Sequence, residues 1–441
     1  MAADTVMPLE KARHIKYWQR CHKTFLPHQY TSSDSTRIAL SFFILAALDI
    51  LSPSEPTKDA PHLLTPADRA AARKFVLGLY HPGGGFCGSP NHALPSDLYA
   101  GWDFEKATPK TRNASSANLA STYFALLILA IVADGPEEAK SAFAGVDRVA
   151  TLRWLRRLQR TDGSFGELVL DDGAIAGGRD MRLCFLAATI RWALRGDAKE
   201  GDEDWVEDID VDGLVRHIRQ GQTYDGGVAE SSHANESHAD MRFEAGYAWC
   251  AVSALVLLDR PPDQSGTPHD SQILQQGVPD ASLLVKFLVY RQFEYLEKED
   301  DSDDPDHANF VLPASLSELT LDPNLRFVGF NGRCNKVADT CYCWWVGGTL
   351  QMLGHTDLID AEPSRRFITK KTQHLIGGFS KYPGGPPDIF HGFLGLAALA
   401  IMGDADLKPF DASVCATDAT MRNIIFARNG LIETTKATKK T

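Results

Sequence analysis

A unit made of a glycine-rich turn and an almost wholly apolar helix recurs along this chain, and such repetition constrains the fold more than any single motif. The turns carry glycine with acidic or aromatic neighbours and lie at residues 81–88, 159–167, 222–230, 328–336 and 375–383. The predicted helices begin near Ser35, Ala117, Arg179, Gly246, Asp339 and Asp388. We therefore treat the chain as about six copies of one helical unit.

The six helices are apolar on nearly all sides, which in a globular protein indicates burial on every face. Amphipathic segments lie between them, for example residues 146–160 and 212–221, and their charged stripes suit a solvated outer layer. This alternation predicts an all-α fold, an α/α toroid with six inner and about six outer helices around a central apolar funnel. We expect residues 1–441 to form one such domain.

Three segments depart from the repeat. Residues 259–275 and 297–308 have the polar or acidic composition of surface insertions. The C-terminal tail, residues 434–441, is predicted to be frayed.

Composition excludes several classes of protein. The chain is 44% apolar and 23% charged, which is typical of a globular protein, and no apolar run is long enough to cross a bilayer. Eight cysteines without a framework spacing favour free thiols in a reducing compartment. A net charge of −12 argues against a nucleic-acid partner. We expect a cytoplasmic protein with no integral membrane segment.

The segment from Gly329 to Trp345, GFNGRCNKVADTCYCWW, concentrates reactive side chains in one turn. Asp339 and Cys341 are two residues apart, so they can bind one ion only if they straddle the start of a helix. A soft sulfur combined with a hard oxygen favours zinc. Arg333 and Lys336 precede the same helix start, where backbone amides also favour an anion.

The third ligand of such a site must come from elsewhere, and His391 is the best candidate. It lies in PPDIFHGFLGLAALAIMG, which repeats the pattern of a turn, a carboxylate and an apolar helix. Three protein ligands with an open fourth position are typical of catalytic zinc. The residues alone also fit a simpler reading, in which Cys341 is a buried apolar side chain and Asp339 an ordinary N-cap.

Both segments resemble the zinc-site segments of protein prenyltransferase beta subunits. The resemblance continues through residues 14–51 and 177–194 and covers most of the chain. It implies a catalytic zinc held by Asp339, Cys341 and His391. It also implies diphosphate binding by Arg333, Lys336 and Tyr342, and it places Arg182 and Trp345 in the substrate cavity.

Within that family, three positions favour the type I geranylgeranyl enzymes over the farnesyl enzymes, which resemble this chain but differ there. Ala39 and Leu394 stand where the farnesyl enzymes have Trp and Tyr, so the funnel should be deeper. Lys381, ten residues before His391, stands where they have a magnesium-binding Asp. We therefore expect no requirement for Mg²⁺.

One motif departs from the family pattern. The family has a diphosphate-binding His shortly before a Gly-Tyr run, whereas this chain reads ESHADMRFEAGYAWC. We expect the six residues from Asp240 to Ala245 to loop out, so that His238 still reaches the site. In an ungapped register Glu244 takes its place, and its carboxylate would repel a diphosphate.

The resemblance implies transfer of a geranylgeranyl group from geranylgeranyl diphosphate to the Cys thiol of C-terminal CaaX motifs that end in Leu or Phe, as on small GTPases. It also implies an obligate heterodimer with an alpha subunit. Farnesyl transfer is the first alternative, and Rab-type geranylgeranyl transfer is the next. A non-catalytic toroid that serves as a binding scaffold is the alternative outside the enzymes.

Overall fold

All six predicted apolar segments are helices in the computed structural model. The structure describes residues 8–90, 102–103, 108–109, 117–170, 173–203, 205–232, 244–264, 266–268, 271–295 and 327–439. The six inner helices are α2 (Arg37–Leu51), α4 (Leu119–Ile131), α7 (Met181–Arg195), α9 (Ala245–Asp259), α12 (Thr340–Met352) and α14 (Ile389–Ile401). Each packs against the next, and α14 packs against α2, so the inner helices form a closed ring.

A second set of helices covers this ring from outside. They are α1 (Lys11–Lys23), α3 (Pro66–Leu77), α6 (Arg148–Arg157), α8 (Val211–Arg219), α11 (Ala281–Val289) and α13 (Ala361–Arg366), which continues as one π-helical segment (Phe367–Thr372). Three further helices are α5 (Gly135–Lys140), α10 (Gln272–Gly277) and α15 (Asp418–Lys439), and short 3₁₀ segments cover His28–Thr36 and Thr356–Leu358. The described residues thus form the predicted all-α double ring.

Short antiparallel strand pairs occur in the connections between the helices. They are β1 (Phe86–Cys87) with β4 (Ala117–Asn118), β2 (Trp102–Asp103) with β3 (Thr108–Pro109), β5 (Leu168–Val169) with β6 (Ile175–Ala176), β7 (Gln292–Glu294) with β8 (Val328–Phe330), β9 (Phe379–Ser380) with β10 (Pro387–Asp388), and β11 (Phe410–Asp411) with β12 (Ala416–Thr417). Four of the predicted turns share one geometry, in which a residue pairs through a single antiparallel β-bridge with the residue six positions later. The turn predicted at residues 328–336 differs, because β8 pairs with β7 across residues 295–327.

A repeated glutamine joins neighbouring repeats. Gln222 at the end of one repeat accepts from the Asp280 amide at 2.9 Å and donates to the Asp280 carbonyl at 2.8 Å, just before α11. Gln159 makes the same pair of bonds with Asp210, just before α8. The side chain thereby fixes where the next outer helix begins.

The starts of the inner helices are joined in a ring of hydrogen bonds. An amide at the first or second residue of each helix donates at 2.9 to 3.0 Å to an oxygen of the following repeat. The pairs are Ile38 with Gly88, Leu119 with Glu167, Met181 with Glu230, Ala245 with Gly332, Thr340 with Lys381, and Ile389 with the Tyr30 hydroxyl. These bonds place all six helix starts at the same end of the toroid, which we call the mouth.

Aromatic side chains line the inside of the ring. Aromatic rings contact one another in a series from Phe42 through Tyr123, Phe185 and Trp249 to Trp344. Each inner helix from α2 to α12 therefore contributes one ring to this series. The first two turns of these helices contain partly accessible residues, at positions such as 39 and 43, 120 and 124, or 341 and 345. The apolar interior therefore opens at the mouth, as the predicted funnel requires.

The other end of the ring is closed by residues 410–417. The Trp249 indole donates to the Ala412 carbonyl at 3.1 Å, and the Tyr123 hydroxyl donates to the Val414 carbonyl at 3.0 Å. Phe410 contacts both Trp344 and Phe393. The funnel thus has a floor made by the chain that follows the last inner helix.

Two peripheral segments contain helix. Residues 272–275, in the segment predicted to be a polar insertion, belong to α10, which Ser271 caps by accepting from the Leu274 amide. The C-terminal tail is helical as far as Lys439, and the hydroxyls of Thr434 and Thr435 bond carbonyls four residues earlier. The insertion at 297–308 lies outside the described residues. No described helix combines the length and apolarity needed to cross a membrane.

Candidate active site

Asp339 and Cys341 lie on either side of the first residue of α12. The Asp339 backbone is extended, with φ of −139°, and its Oδ1 accepts from the Cys341 amide at 2.9 Å. Within a continuous helix, residues i and i+2 would point apart. The helix start brings the carboxylate and the thiol together, as predicted.

His391 reaches the same point from α14. Its Nε2 lies 3.3 Å from Asp339 Oδ1, and the donor atoms of Asp339, Cys341 and His391 all lie within 4.8 Å of one another. A thiol sulfur, an imidazole nitrogen and a carboxylate oxygen suit Zn²⁺, and three protein ligands leave the fourth tetrahedral position open. No second cluster of three such donors occurs in the described part of the chain.

Asp388, the N-cap of α14, orients His391. Its Oδ2 lies 2.6 Å from His391 Nδ1, while its Oδ1 accepts from the amides of Phe390 and His391 at 2.9 Å. A carboxylate on the second ring nitrogen fixes the tautomer of a ligating imidazole. The sequence analysis missed this role, although the D-x-x-H spacing places the two residues one helical turn apart.

The three donors titrate outside their ordinary ranges. Burial lowers the pKa of His391, but Asp339 and Asp388 outweigh burial and raise that pKa to about 9. Burial, and then the Asp339 carboxylate, raise the pKa of Cys341. Burial opposes ionisation of Asp339, yet His391 and Cys341 hold its pKa below the ordinary range. A divalent metal would therefore replace protons on His391 and Cys341.

The turn before α12 presents two cations, Arg333 and Lys336. Asn331 donates to the Lys336 carbonyl at 2.9 Å, and Asn335 adopts a left-handed φ of 61°, which Asn tolerates better than most residues. Lys336 is exposed and Arg333 partly exposed. Both cations lie at the mouth, where an anionic ligand can reach them.

Lys381 and Tyr342 connect this turn to the donor cluster. Lys381 Nζ lies 4.0 Å from Asp339 Oδ2, and the Lys381 carbonyl accepts from the Thr340 amide at 2.9 Å. The Tyr342 ring lies so close to Gly332 that a Cβ there would come within 2.2 Å of it. Glycine at 332 therefore lets the phenol rest against the cationic turn.

Glu244 also lies in this group, contrary to the expected loop. Its Oε2 accepts from the Tyr342 hydroxyl at 2.8 Å, and Ala245 is the first residue of α9. These two residues do not loop out, because the Ala245 amide is bonded to Gly332. His238 lies outside the described residues.

The remaining predicted residues all lie on inner helices. Arg182, in the first turn of α7, donates to Asp180 at 2.9 and 3.0 Å. Ala39 is partly accessible near the start of α2, and Leu394 is buried on α14. Trp345 packs edge-on against Trp249, with ring centroids 5.1 Å apart. Arg182 belongs to a different repeat from the metal donors, so its place in the cavity stays a prediction.

A family model described as "Prenyltransferase alpha-alpha toroid domain" matches residues 9–416. The chain therefore belongs to the prenyltransferase alpha-alpha toroid family. Within it, the chain is 28% identical over 407 residues to the geranylgeranyl transferase type-1 subunit beta of Arabidopsis thaliana, covering 91% of this chain and 87% of that protein. The Dictyostelium discoideum protein of the same name is 26% identical over 422 residues, covering 89% and 90%.

Other relatives in the comparisons extend this picture. The protein farnesyltransferase subunit beta of Pyricularia oryzae is 24% identical over 441 residues, covering 93% of this chain and 68% of that protein. The solved Candida albicans protein geranylgeranyltransferase-I complexed with GGPP superposes with a TM-score of 0.68 at 23% identity, covering 95% and 98%. These findings confirm the predicted toroid and the predicted resemblance to protein prenyltransferase beta subunits.

Proposed function

We propose that this chain is the catalytic beta subunit of a zinc-dependent protein geranylgeranyltransferase. It would transfer geranylgeranyl from its diphosphate to the Cys thiol of CaaX tails that end in Leu or Phe. The observation that supports this most directly is the convergence of Asp339, Cys341 and His391 beside Lys381, at the mouth of an apolar funnel.

The mechanism assigns a task to each group. Asp339, Cys341 and His391 would hold Zn²⁺, which lowers the pKa of a bound peptide thiol so that it attacks as a thiolate. A bond forms between that sulfur and C1 of the lipid while the bond from C1 to the diphosphate oxygen breaks. The charge that develops on the leaving diphosphate would be stabilised by the cations of the turn and by Tyr342.

Choice of lipid depends on the depth of the funnel. Ala39 and Leu394 carry no aromatic bulk, so the funnel keeps space for one isoprene unit more than farnesyl has. At about 0.8 kcal/mol per buried CH₂, that unit would stabilise the longer lipid by about 3 kcal/mol. If the funnel does not favour the longer lipid, the chain would instead transfer farnesyl, which is the alternative function.

Lys381 bears on the need for a second metal. Its ammonium lies 4.0 Å from Asp339 Oδ2 and is 55% exposed, so it can approach a diphosphate bound beside the zinc site. A fixed cation there would supply positive charge to the leaving diphosphate, as Mg²⁺ does for phosphate groups in other enzymes. We therefore infer that the reaction does not require Mg²⁺.

An alpha subunit would complete the enzyme. Several large apolar side chains are exposed on this chain, among them Phe25, Tyr224, Tyr290 and Leu375. A partner subunit could cover these side chains, although single exposed apolar residues are also common on monomers. We further propose that the chain works in a cytoplasmic heterodimer that modifies small GTPases, and the similarity to proteins named geranylgeranyl transferase type-1 subunit beta supports this proposal.

A transfer assay on the chain co-expressed with an alpha subunit tests this proposal. Geranylgeranyl and farnesyl diphosphates are offered with peptides that end in Leu or Ser, with and without Mg²⁺. We expect geranylgeranylation of the Leu peptide, and Ala39→Trp should shift the preference toward farnesyl. Preference of the unchanged enzyme for farnesyl diphosphate and the Ser peptide would indicate a farnesyltransferase, and no transfer of either lipid would favour the scaffold.

A further inference from the structure

Glu244 places a carboxylate among the groups assigned to diphosphate. Tyr342 Oη donates to Glu244 Oε2 at 2.8 Å, and Arg333 Nε lies 3.9 Å from Glu244 Oε1. A phenol is protonated at neutral pH, so Tyr342 acts as the donor in this bond. Two of the assigned diphosphate ligands thus already face an anion that belongs to the chain.

The backbone fixes Glu244 in this place. The next amide, that of Ala245, donates at 3.0 Å to the carbonyl of Gly332, which adjoins Arg333 in the cationic turn. At the equivalent position of other repeats, Asp180 and Asp388 use their carboxylates to cap their own helices. Glu244 is one methylene longer, and its carboxylate extends instead to the neighbouring inner helix.

A diphosphate on Tyr342 and Arg333 would compete with this carboxylate in two ways. The phenol has a single hydrogen, so it donates either to Glu244 or to a phosphate oxygen. Two anions that share one guanidinium at this distance also repel each other, and the repulsion is strong because the Glu244 side chain is only 27% exposed.

We propose that Glu244 is a built-in competitor of the diphosphate group and promotes release of the inorganic diphosphate product. The inference rests on the proposed function, because it takes diphosphate as the leaving group. Glu244 weakens the diphosphate contacts of substrate and product alike. The substrate keeps the apolar contacts of its lipid in the funnel, whereas the product has only its ionic and hydrogen-bonded contacts.

Titration of the zinc-loaded heterodimer with inorganic diphosphate in a calorimeter tests this. Glu244→Gln keeps the size of the side chain and removes its charge, so the dissociation constant should fall by about tenfold or more. If the Gln variant does not fold, Glu244→Ala replaces it, and the dissociation constant for inorganic diphosphate should fall in that variant as well. An unchanged or weaker affinity in both variants would overturn the proposal.

Glu230→Gln is the matched control. Glu230 also lies at the mouth, where its carbonyl accepts from the Met181 amide at 2.9 Å, in the repeat before the cationic turn. Removing its charge should change the diphosphate affinity by less than about twofold. An equal gain in both Glu→Gln variants would show a general effect of net charge and overturn the specific role of Glu244.

A double variant separates competition for the phenol from charge alone. With Tyr342→Phe, the gain from Glu244→Gln should shrink to less than half on a logarithmic scale, and an undiminished gain would overturn competition for Tyr342. Lipid transfer measured on the same preparations distinguishes failure of the competitor role of Glu244 from failure of the proposed transferase function. Transfer with no effect of Glu244→Gln on diphosphate affinity contradicts only the competitor, whereas a zinc-loaded heterodimer without transfer contradicts the proposed function.

Discussion

N-cap aspartates at the mouth serve more than one purpose. Asp339 caps α12 and also offers its oxygen to the donor cluster, while Asp388 caps α14 and orients His391. The same short side chain therefore starts a helix and fixes a metal donor. Both segments of the donor cluster accordingly combine a turn, an Asp and an apolar helix.

Asp388→Asn tests the orienting role. The amide can still cap α14, but it cannot hold the His391 imidazole as a charged acceptor does. We expect metal affinity to fall about 10- to 100-fold with little change in stability. Competition with a chromophoric chelator measures the affinity. Asp280→Asn, at the N-cap of outer helix α11, is the control and should leave metal affinity unchanged.

At the scale of elements, the inner helices were predictable because their signal is local. An apolar run with a turn before it identifies each one, and the predicted starts lie within a few residues of the observed ones. The glutamine bonds between repeats were not predictable, because Gln222 and Asp280 are 58 residues apart. The sequence named Glu244 only as the ungapped alternative to His238, and its bond to Tyr342 was not predictable for the same reason, because the two residues are 98 positions apart.

Gln222→Ala tests whether these bonds stabilise the double ring. The change removes two hydrogen bonds to the backbone of Asp280 and should lower the free energy of unfolding by about 1–2 kcal/mol. Urea denaturation measures it. The control is Gln275→Ala, an exposed residue of α10, which should change stability by less than about 0.5 kcal/mol. Equal losses in both variants would contradict a stabilising role for these bonds.

At the scale of the whole molecule, the buried carboxylate of Asp49 joins the first inner helix to the chain that follows the last one. Asp49 on α2 accepts from Lys408 at 2.7 Å and from Thr417 at 2.6 Å, and both partners follow the last inner helix. The apolar helices predicted a toroid, but neither this pair nor the floor at residues 410–417 carries a sequence pattern. Contacts between the two ends of the repeat array are visible only in the folded chain.

Asp49→Asn tests this closure and its dependence on pH. Burial opposes ionisation of Asp49, but His62, Lys408 and Thr417 hold its pKa well below the ordinary range. Its contribution is therefore complete above the unfolded pKa of about 3.9 and is lost as pH falls below that value. At pH 7 the variant should lose about 3 kcal/mol, because Lys408 is left unpaired.

Urea denaturation of the Asp49→Asn variant and of the unchanged protein over a range of pH measures this effect. The difference in unfolding free energy between the two should shrink on acidification below about pH 4. Asp59→Asn, at an exposed position, should have little effect at any pH. A difference that stays constant on acidification would show that Asp49 is not the titrating group.

Zinc content tests the central claim most directly. The heterodimer and its Cys341→Ala variant are purified without added metal and measured by elemental analysis, with circular dichroism to confirm that both are folded. We expect close to one zinc per heterodimer and a large loss in the variant, because one of three protein ligands is gone. A folded heterodimer without zinc, or a variant that keeps it in full, would contradict the assignment of Asp339, Cys341 and His391 as a catalytic zinc site.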